Sequence, residues 1–152
     1  MYGNFCAVVD GVSLYDDSAD GQIDFRSSDH VDALTDSFSI NVPGTPVRAL
    51  WMWSGRSARL PQLGDNTIVV DANGTSQELT ASQSLSASEI GRTWHTYLYE
   101  DLALNTVQSG ANTYTVSGLS INTISEDNHG AALVVVYEDA SCPYQRIELD
   151  WG

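Results

Sequence analysis

The sequence predicts an all-β fold, an antiparallel β-sandwich or jelly-roll-like domain of about ten strands with little helix. Three observations carry that expectation. Short segments of alternating or continuous apolar residues recur at close spacing along the 152 residues. Turn-forming clusters separate them, among them Pro43-Gly44-Thr45-Pro46, Asn73-Gly74 and Ser109-Gly110. Helical periodicity is almost absent.

Taken in order, 5–14 (FCAVVDGVSL) reads as a strand kinked at Asp10-Gly11, a dipeptide suited to positive φ. Segment 15–25 (YDDSADGQIDF) is the most polar and most patterned. Asp16, Ser18 and Asp20 alternate, Gly21 follows, Gln22 offers a backbone carbonyl and Asp24 comes next. This is the spacing of a calcium loop, in which a hard cation gathers several oxygens and a glycine lets the chain wrap tightly. The twelfth position, where a helix-loop-helix site places a bidentate glutamate, is Ser27, so an EF-hand is not expected. Two readings stand: a Ca2+ loop on a β scaffold, with Asp29 or Asp32 adding a ligand, or a solvated acidic loop.

Segment 27–36 has the spacing of a short helix, with Val31 and Leu34 three apart and Ser28 as a cap. Strand 37–42 (SFSINV) then leads into the proline-glycine turn. Strand 47–53 (VRALWMW) carries large side chains on both faces, with Trp51 and Trp53 on the same one. Paired tryptophans either pack a core or stack on a sugar ring, and both readings stand. Ser54-Gly55 is expected to end this strand and to leave Arg56 and Arg59 in a loop.

Segments 65–72 and 75–80 flank Asn73-Gly74 as a hairpin. Asn73-Gly74-Thr75 also fits the N-glycosylation pattern, a match that any such hairpin followed by threonine produces. The serine-rich segment 81–91 reads mostly as loop, with one helical turn near Ser88-Glu89-Ile90. Strand 92–100 (RTWHTYLYE) puts Trp94, Thr96 and Leu98 on one face and His95, Tyr97 and Tyr99 on the other. A short helix or turn follows over 101–107, then strands 113–116 and 119–124. Segment 130–150 (GAALVVVYEDASCPYQRIELD) closes the series. It reads as a buried strand, a break at Glu138-Asp139, a corner at Cys142-Pro143, and a half-exposed strand over 146–150.

One domain spanning 1–152 suits this length, which buries enough apolar surface to fold around a single core. The formal charge of −14 and pI near 4.1 exclude a basic footprint for nucleic acid or anionic lipid. No window is long and apolar enough to span a bilayer. All six positive residues are arginine. Lysine Schiff bases, phosphate-cradling lysines and lysine isopeptide crosslinks are therefore excluded. The start, MYGNFCAVVDG, lacks a secretory-signal pattern. Cys6 and Cys142 are too far apart for a CxxC pair, which leaves two free thiols or one bridge between the ends of the chain.

Three stretches, in order, carry a family likeness. They are Ala49 to Gly55 (ALWMWSG), Trp94-His95-Thr96-Tyr97 with Asp101-Leu102, Gly110 and Tyr114 to Leu119 (YTVSGL), and Gly130 to Glu138 (GAALVVVYE) with Arg146-Ile147-Glu148-Leu149. From about Pro43 onward the chain resembles a β-sandwich domain of unknown biochemical function found in large exported and cell-surface proteins of bacteria and archaea. Ala131 stands where that pattern often has tryptophan. The resemblance implies an extracellular location, a mature or excised segment of a larger exported protein, and a Cys6–Cys142 disulfide.

No catalytic motif appears. His30, His95 and His129 have no ligand-type partner at metal-site spacing, and there is no G-x-S-x-G elbow, phosphate loop or H-E-x-x-H. The carboxylate pairs Glu100-Asp101, Glu126-Asp127 and Glu138-Asp139 are sequence neighbours that point to opposite faces of a strand. The sequence thus predicts a non-enzymatic structural or adhesive module of a surface protein, stabilised by calcium if Asp16 to Asp24 bind it. Its partners would be other domains or subunits of a surface assembly. Two alternatives are a carbohydrate-binding module that stacks glycan on Trp51 and Trp53, and a subunit of an extracellular filament or layer. In the filament, residues 5–9 or 131–137 would complete a neighbour's sheet.

Overall fold

The apolar runs become strands in the order β1 (Tyr2–Val12), β2 (Asp36–Val42), β3 (Thr45–Ser57), β4 (Thr67–Ala72), β5 (Thr75–Thr80), β6 (Gln83–Glu89), β7 (Arg92–Glu100), β8 (Gly110–Ser117), β9 (Glu126–Glu138) and β10 (Tyr144–Arg146). The computed structural model describes residues 2–13, 35–57, 65–89, 92–119 and 126–149, and among these there is no helix. Two sheets form, one of six strands in the order β10-β1-β9-β3-β7-β6 and one of four in the order β2-β8-β4-β5. Every strand pairing within the sheets is antiparallel. The expected antiparallel β-sandwich is the fold of the chain.

Strand β9 is the axis of the larger sheet. It pairs with β1 from Phe5↔Glu138 to Val12↔Ala131 and with β3 from Thr45↔Glu138 to Ser57↔Glu126. Its two faces are unequally covered, since Ala131 is buried with the inner face whereas Ala132 and Val134 on the other face are half-buried. Leu133 and Val135 point into the sandwich and are fully buried, while Val136 is buried on the other side. From the facing sheet Ile40, Val42, Ile68, Val70, Leu79 and Val116 fill the core. Each such aliphatic side chain contributes about 1.5 to 3 kcal/mol when fully buried.

Several boundaries depart from the sequence reading. β1 runs straight through Asp10-Gly11, with Gly11 opposite Ala132. The glycine is needed for closeness, since a Cβ there would lie 2.3 Å from the Ala131 carbonyl oxygen. β3 starts at Thr45 and continues past Ser54-Gly55 to Ser57, and it absorbs irregularities at Pro46/Arg48 and Ser54/Gly55 as register shifts. Arg56 therefore lies in a strand; Arg59 falls outside the described residues.

The serine-rich segment expected as loop is β6, in register with β7 from Gln83↔Leu98 to Glu89↔Arg92. Residues 101–107 form turns, with Leu104 at a positive φ of 54°. The last strand lies two residues earlier than expected, at Tyr144–Arg146, where it pairs with Tyr2–Asn4. Most of the expected short helix at 27–36 and of the strand at 119–124 lies outside the described residues.

Candidate functional site

Cys6 lies on β1 and Cys142 in the turn after β9, and the two form a disulfide across 136 residues with Cα atoms 5.7 Å apart. The local chain brings them together. Asp139 N donates to Asn4 O, Cys142 N donates to Asp139 O, and Gln145 Nε2 donates to Phe5 O at 2.8 Å. Ser141 donates both its amide and its hydroxyl to Asp139 Oδ1, and these bonds hold that carboxyl below its ordinary pKa. Beyond the bridge, Arg146 lies over the Tyr2 ring at 5.6 Å and pairs with Glu148. The two ends of the described chain thus form one stapled strand pair.

Trp51 and Trp53 share a face as expected, but that face is the inside of the sandwich. They are 0% and 2% exposed. Trp51 meets Tyr114 edge-on at 5.3 Å, and Phe38 stacks on Tyr114 at 5.0 Å. Trp53 stacks on Tyr97 at 5.7 Å and donates its Nε1 to Asp65 O at 2.8 Å. Neither indole offers a ring to solvent, so the sugar-stacking expectation for this pair is withdrawn. The cause is the second sheet, which covers the face that carries them.

The indole of Trp51 also reaches a polar network inside the core. Its Nε1 donates to Thr106 Oγ1 at 3.0 Å; Thr106 Oγ1 and N donate in turn to Asp101 Oδ2 at 2.8 and 2.7 Å. Asp101 is 1% exposed, and its N donates to Ala49 O at 3.0 Å. Asp101 Oδ1 and Tyr114 Oη are buried without a hydrogen-bond partner. Burial first, and the Asp101 charge second, push the Tyr114 phenol well above its ordinary pKa. Tyr97 is raised in the same way by burial and then by Asp65.

The carboxylate neighbours Glu100 and Asp101 part as strand geometry requires. Glu100 accepts from Arg48 Nε at 2.6 Å, whereas Asp101 turns into the core. His95 is buried, with Nδ1 2.9 Å from Ser86 Oγ and its ring over Tyr97. His30 and the side chains of His129, Glu126 and Asp127 lie outside the described residues. So do Asp16, Ser18, Asp20, Gln22 and Asp24, with Asp29 and Asp32. Among the described residues no cluster of three or more His, Cys, Asp or Glu is placed to hold a metal, and no helix is long and apolar enough to cross a membrane.

No family model matches the chain, and no curated protein matches it. Among solved structures it is similar to the crystal structure of dimeric latent PorU from Porphyromonas gingivalis. The TM-score is 0.41 at 12% identity, and the match covers 90% of this chain and 13% of that one. A likeness of that depth carries no conclusion about this chain.

Two features went unread in the sequence. One is the buried Asp101-Thr106-Trp51 chain, whose spacing of five and fifty-odd residues has no local signature. The other is the exposed edge formed by β6. Its signal is present, since Ser84, Ser86 and Ser88 alternate with Leu85 and Ala87, a period of two. Asn73, the residue of the glycosylation pattern, accepts from Thr113 N at 2.9 Å and donates Nδ2 to Asn112 Oδ1 at 3.1 Å. It ties the β4–β5 hairpin to β8.

Proposed function

We propose that this chain is a non-catalytic, exported β-sandwich module that serves as a structural or adhesive unit of a surface protein. The observation that carries this reading is the Cys6–Cys142 disulfide, which joins positions 136 residues apart. Disulfides persist where thiols are kept oxidised, outside the cytoplasm in most organisms. The acidic, lysine-free composition suits such a setting. The aromatic side chains most expected to meet a ligand are instead spent on the core, as suits a unit whose task is to hold its shape. A calcium ion at Asp16, Ser18, Asp20, Gln22 and Asp24 is proposed on the sequence pattern alone.

The test is protease treatment of intact source cells, with free thiols alkylated beforehand and peptides read by mass spectrometry. The expected result is release of peptides from this chain before lysis, with Cys6 and Cys142 linked and unalkylated. Recovery only after lysis, with both thiols alkylated, overturns the proposal.

The two segments named for the filament alternative stand differently in the sheet. Residues 131–137 lie in β9, hydrogen-bonded to β1 and β3, and residues 5–9 are the part of β1 that pairs with β9. The first segment is paired on both sides; among the described residues the second is paired on one side only, because β10 reaches just Tyr2–Asn4 on the other.

A further inference from the structure

We propose that β6 is a self-pairing edge through which two copies of the chain join about a twofold axis. An edge strand presents a row of unpaired backbone donors and acceptors, and natural sheets blunt such edges with lysine, proline, bulges or shortness. At one end of the six-stranded sheet, β10 is three residues long, follows Pro143 and covers only Tyr2–Asn4, and the rest of that edge is β1, which carries the exposed acid Asp10. At the other end β6 is seven residues long, contains neither lysine nor proline, and runs beside β7 without a register shift. Residues 83–88 are all exposed, so neither face of the strand is covered, and Leu85 is 45% accessible. In the smaller sheet, the edge strand β5 carries the exposed Glu78, and β2 begins at the exposed Asp36 and packs beside β1.

Charge and side-chain pattern identify a second copy as the occupant. Two molecules of formal charge −14 repel unless they meet where acid is scarce. Residues 83–88 (QSLSAS) carry no charge. An antiparallel pairing centred on Ser86 uses all seven residues of the strand. It sets Ser86 opposite Ser86 of the second copy, Leu85 opposite Ala87, Ser84 opposite Ser88, and Gln83 opposite Glu89. The large apolar residue meets the small one, and no two acids face each other.

Residues directly opposite in an antiparallel pair share a face. Leu85 and Ala87 therefore continue across the joint the apolar strip begun by Trp94, which pairs with Ala87 and is 36% exposed. On the other face Ser84, Ser86 and Ser88 form a hydroxyl ladder. That ladder is already anchored within the chain by Ser86 to His95 at 2.9 Å and Ser88 to Thr93 at 3.0 Å.

This inference stands apart from the proposal of export and is tested on the purified full chain with its disulfide intact. Light scattering behind gel filtration, from micromolar to millimolar protein, is expected to show a monomer–dimer equilibrium. The double variant Leu85→Glu/Ala87→Glu is expected to weaken the dimer at least tenfold, and so is Leu85→Lys/Ala87→Lys. An equimolar mixture of the two restores it as a heterodimer. Opposed Cα atoms in such a pair are about 4.5 to 5.5 Å apart, within disulfide reach. Ser86→Cys is therefore expected to crosslink on oxidation, and Ser76→Cys on β5 is not.

A wild-type chain that stays monomeric throughout overturns the proposal, and so does a dimer indifferent to the glutamate pair. A ladder of higher oligomers, or equal crosslinking by Ser76→Cys, overturns it as well. Should a charged variant fail to fold by circular dichroism, the two cysteine variants decide the matter.

Discussion

Thr106 places both its amide and its hydroxyl on a single oxygen of Asp101, at 2.7 and 2.8 Å, inside the core of the sandwich. The same hydroxyl accepts from Trp51 Nε1, so one threonine satisfies a buried indole and half of a buried carboxylate. Thr106→Val keeps the shape and removes the hydroxyl. It is expected to cost about 2 to 3 kcal/mol in urea unfolding, because it strands groups that have no route to water. Thr106→Ser should recover most of the loss.

Tyr114 gives the fold an alkaline limit. Its folded-state pKa is raised, so the unfolded chain loses the phenolic proton first. Its contribution is fully present below about pH 10, the ordinary phenol value, and is lost as pH rises toward the folded-state pKa. Thermal midpoints measured from pH 8 to 12 should therefore fall. Tyr114→Phe, which also removes a buried hydroxyl with no partner, should flatten that fall.

Much of this architecture is written locally. The Asn73-Gly74 turn has its φ values of 53° and 83°, and the 131–136 run is a strand in the middle of its sheet with Ala131, Leu133, Val135 and Val136 buried. Other parts are not local properties. Whether Trp51 and Trp53 face solvent or a second sheet depends on β4, β5 and β8, and a tryptophan on a strand has the same sequence signature in either case. Asp10-Gly11 carries the dipeptide of a turn but the packing of a close strand crossing. The serines of β6 hide a strand because serine seldom favours one, and its hydrogen bonds to His95 and Thr93 exist only after β7 is in place. Cysteine spacing excluded a local motif but left a bridge and two free thiols both open.

Gly11 is where closeness is tested directly. Gly11→Ala drives a methyl group into the Ala131 carbonyl and the Ala132 Cα, at 2.3 and 2.8 Å. Expected destabilisation is about 2 to 3 kcal/mol, the upper range for overpacking. Gly74→Ala is the contrast, since its Cβ meets nothing within 4 Å and only the positive φ of 83° is strained. About 1 kcal/mol is expected there. Equal costs at the two sites would refute the close-approach account.

Opening the Cys6–Cys142 bridge releases a loop of 136 residues. In the chain-entropy model, Cys6→Ala/Cys142→Ala is expected to lose about 4 to 5 kcal/mol. Denaturant midpoints of the oxidised, reduced and doubly substituted chain would show it, with the last two in agreement.

Calcium titrated into chelator-stripped protein is expected to raise the thermal midpoint, with magnesium ineffective, because only a ligand that binds the folded state stabilises it. Asp20→Ala should abolish the rise. A flat response in the unsubstituted chain returns Asp16 to Asp24 to ordinary solvated acid.

The bridge also decides how the module answers to tension. A pull applied through Tyr2 and Arg146 enters on neighbouring strands and passes from Cys6 to Cys142 through sulfur, bypassing everything between. The bypassed chain, 136 residues at roughly 3.3 Å each, amounts to about 450 Å of slack that stretching alone never releases. Under load the sandwich would behave as a short inextensible link, and only a reductant would turn it into a tether.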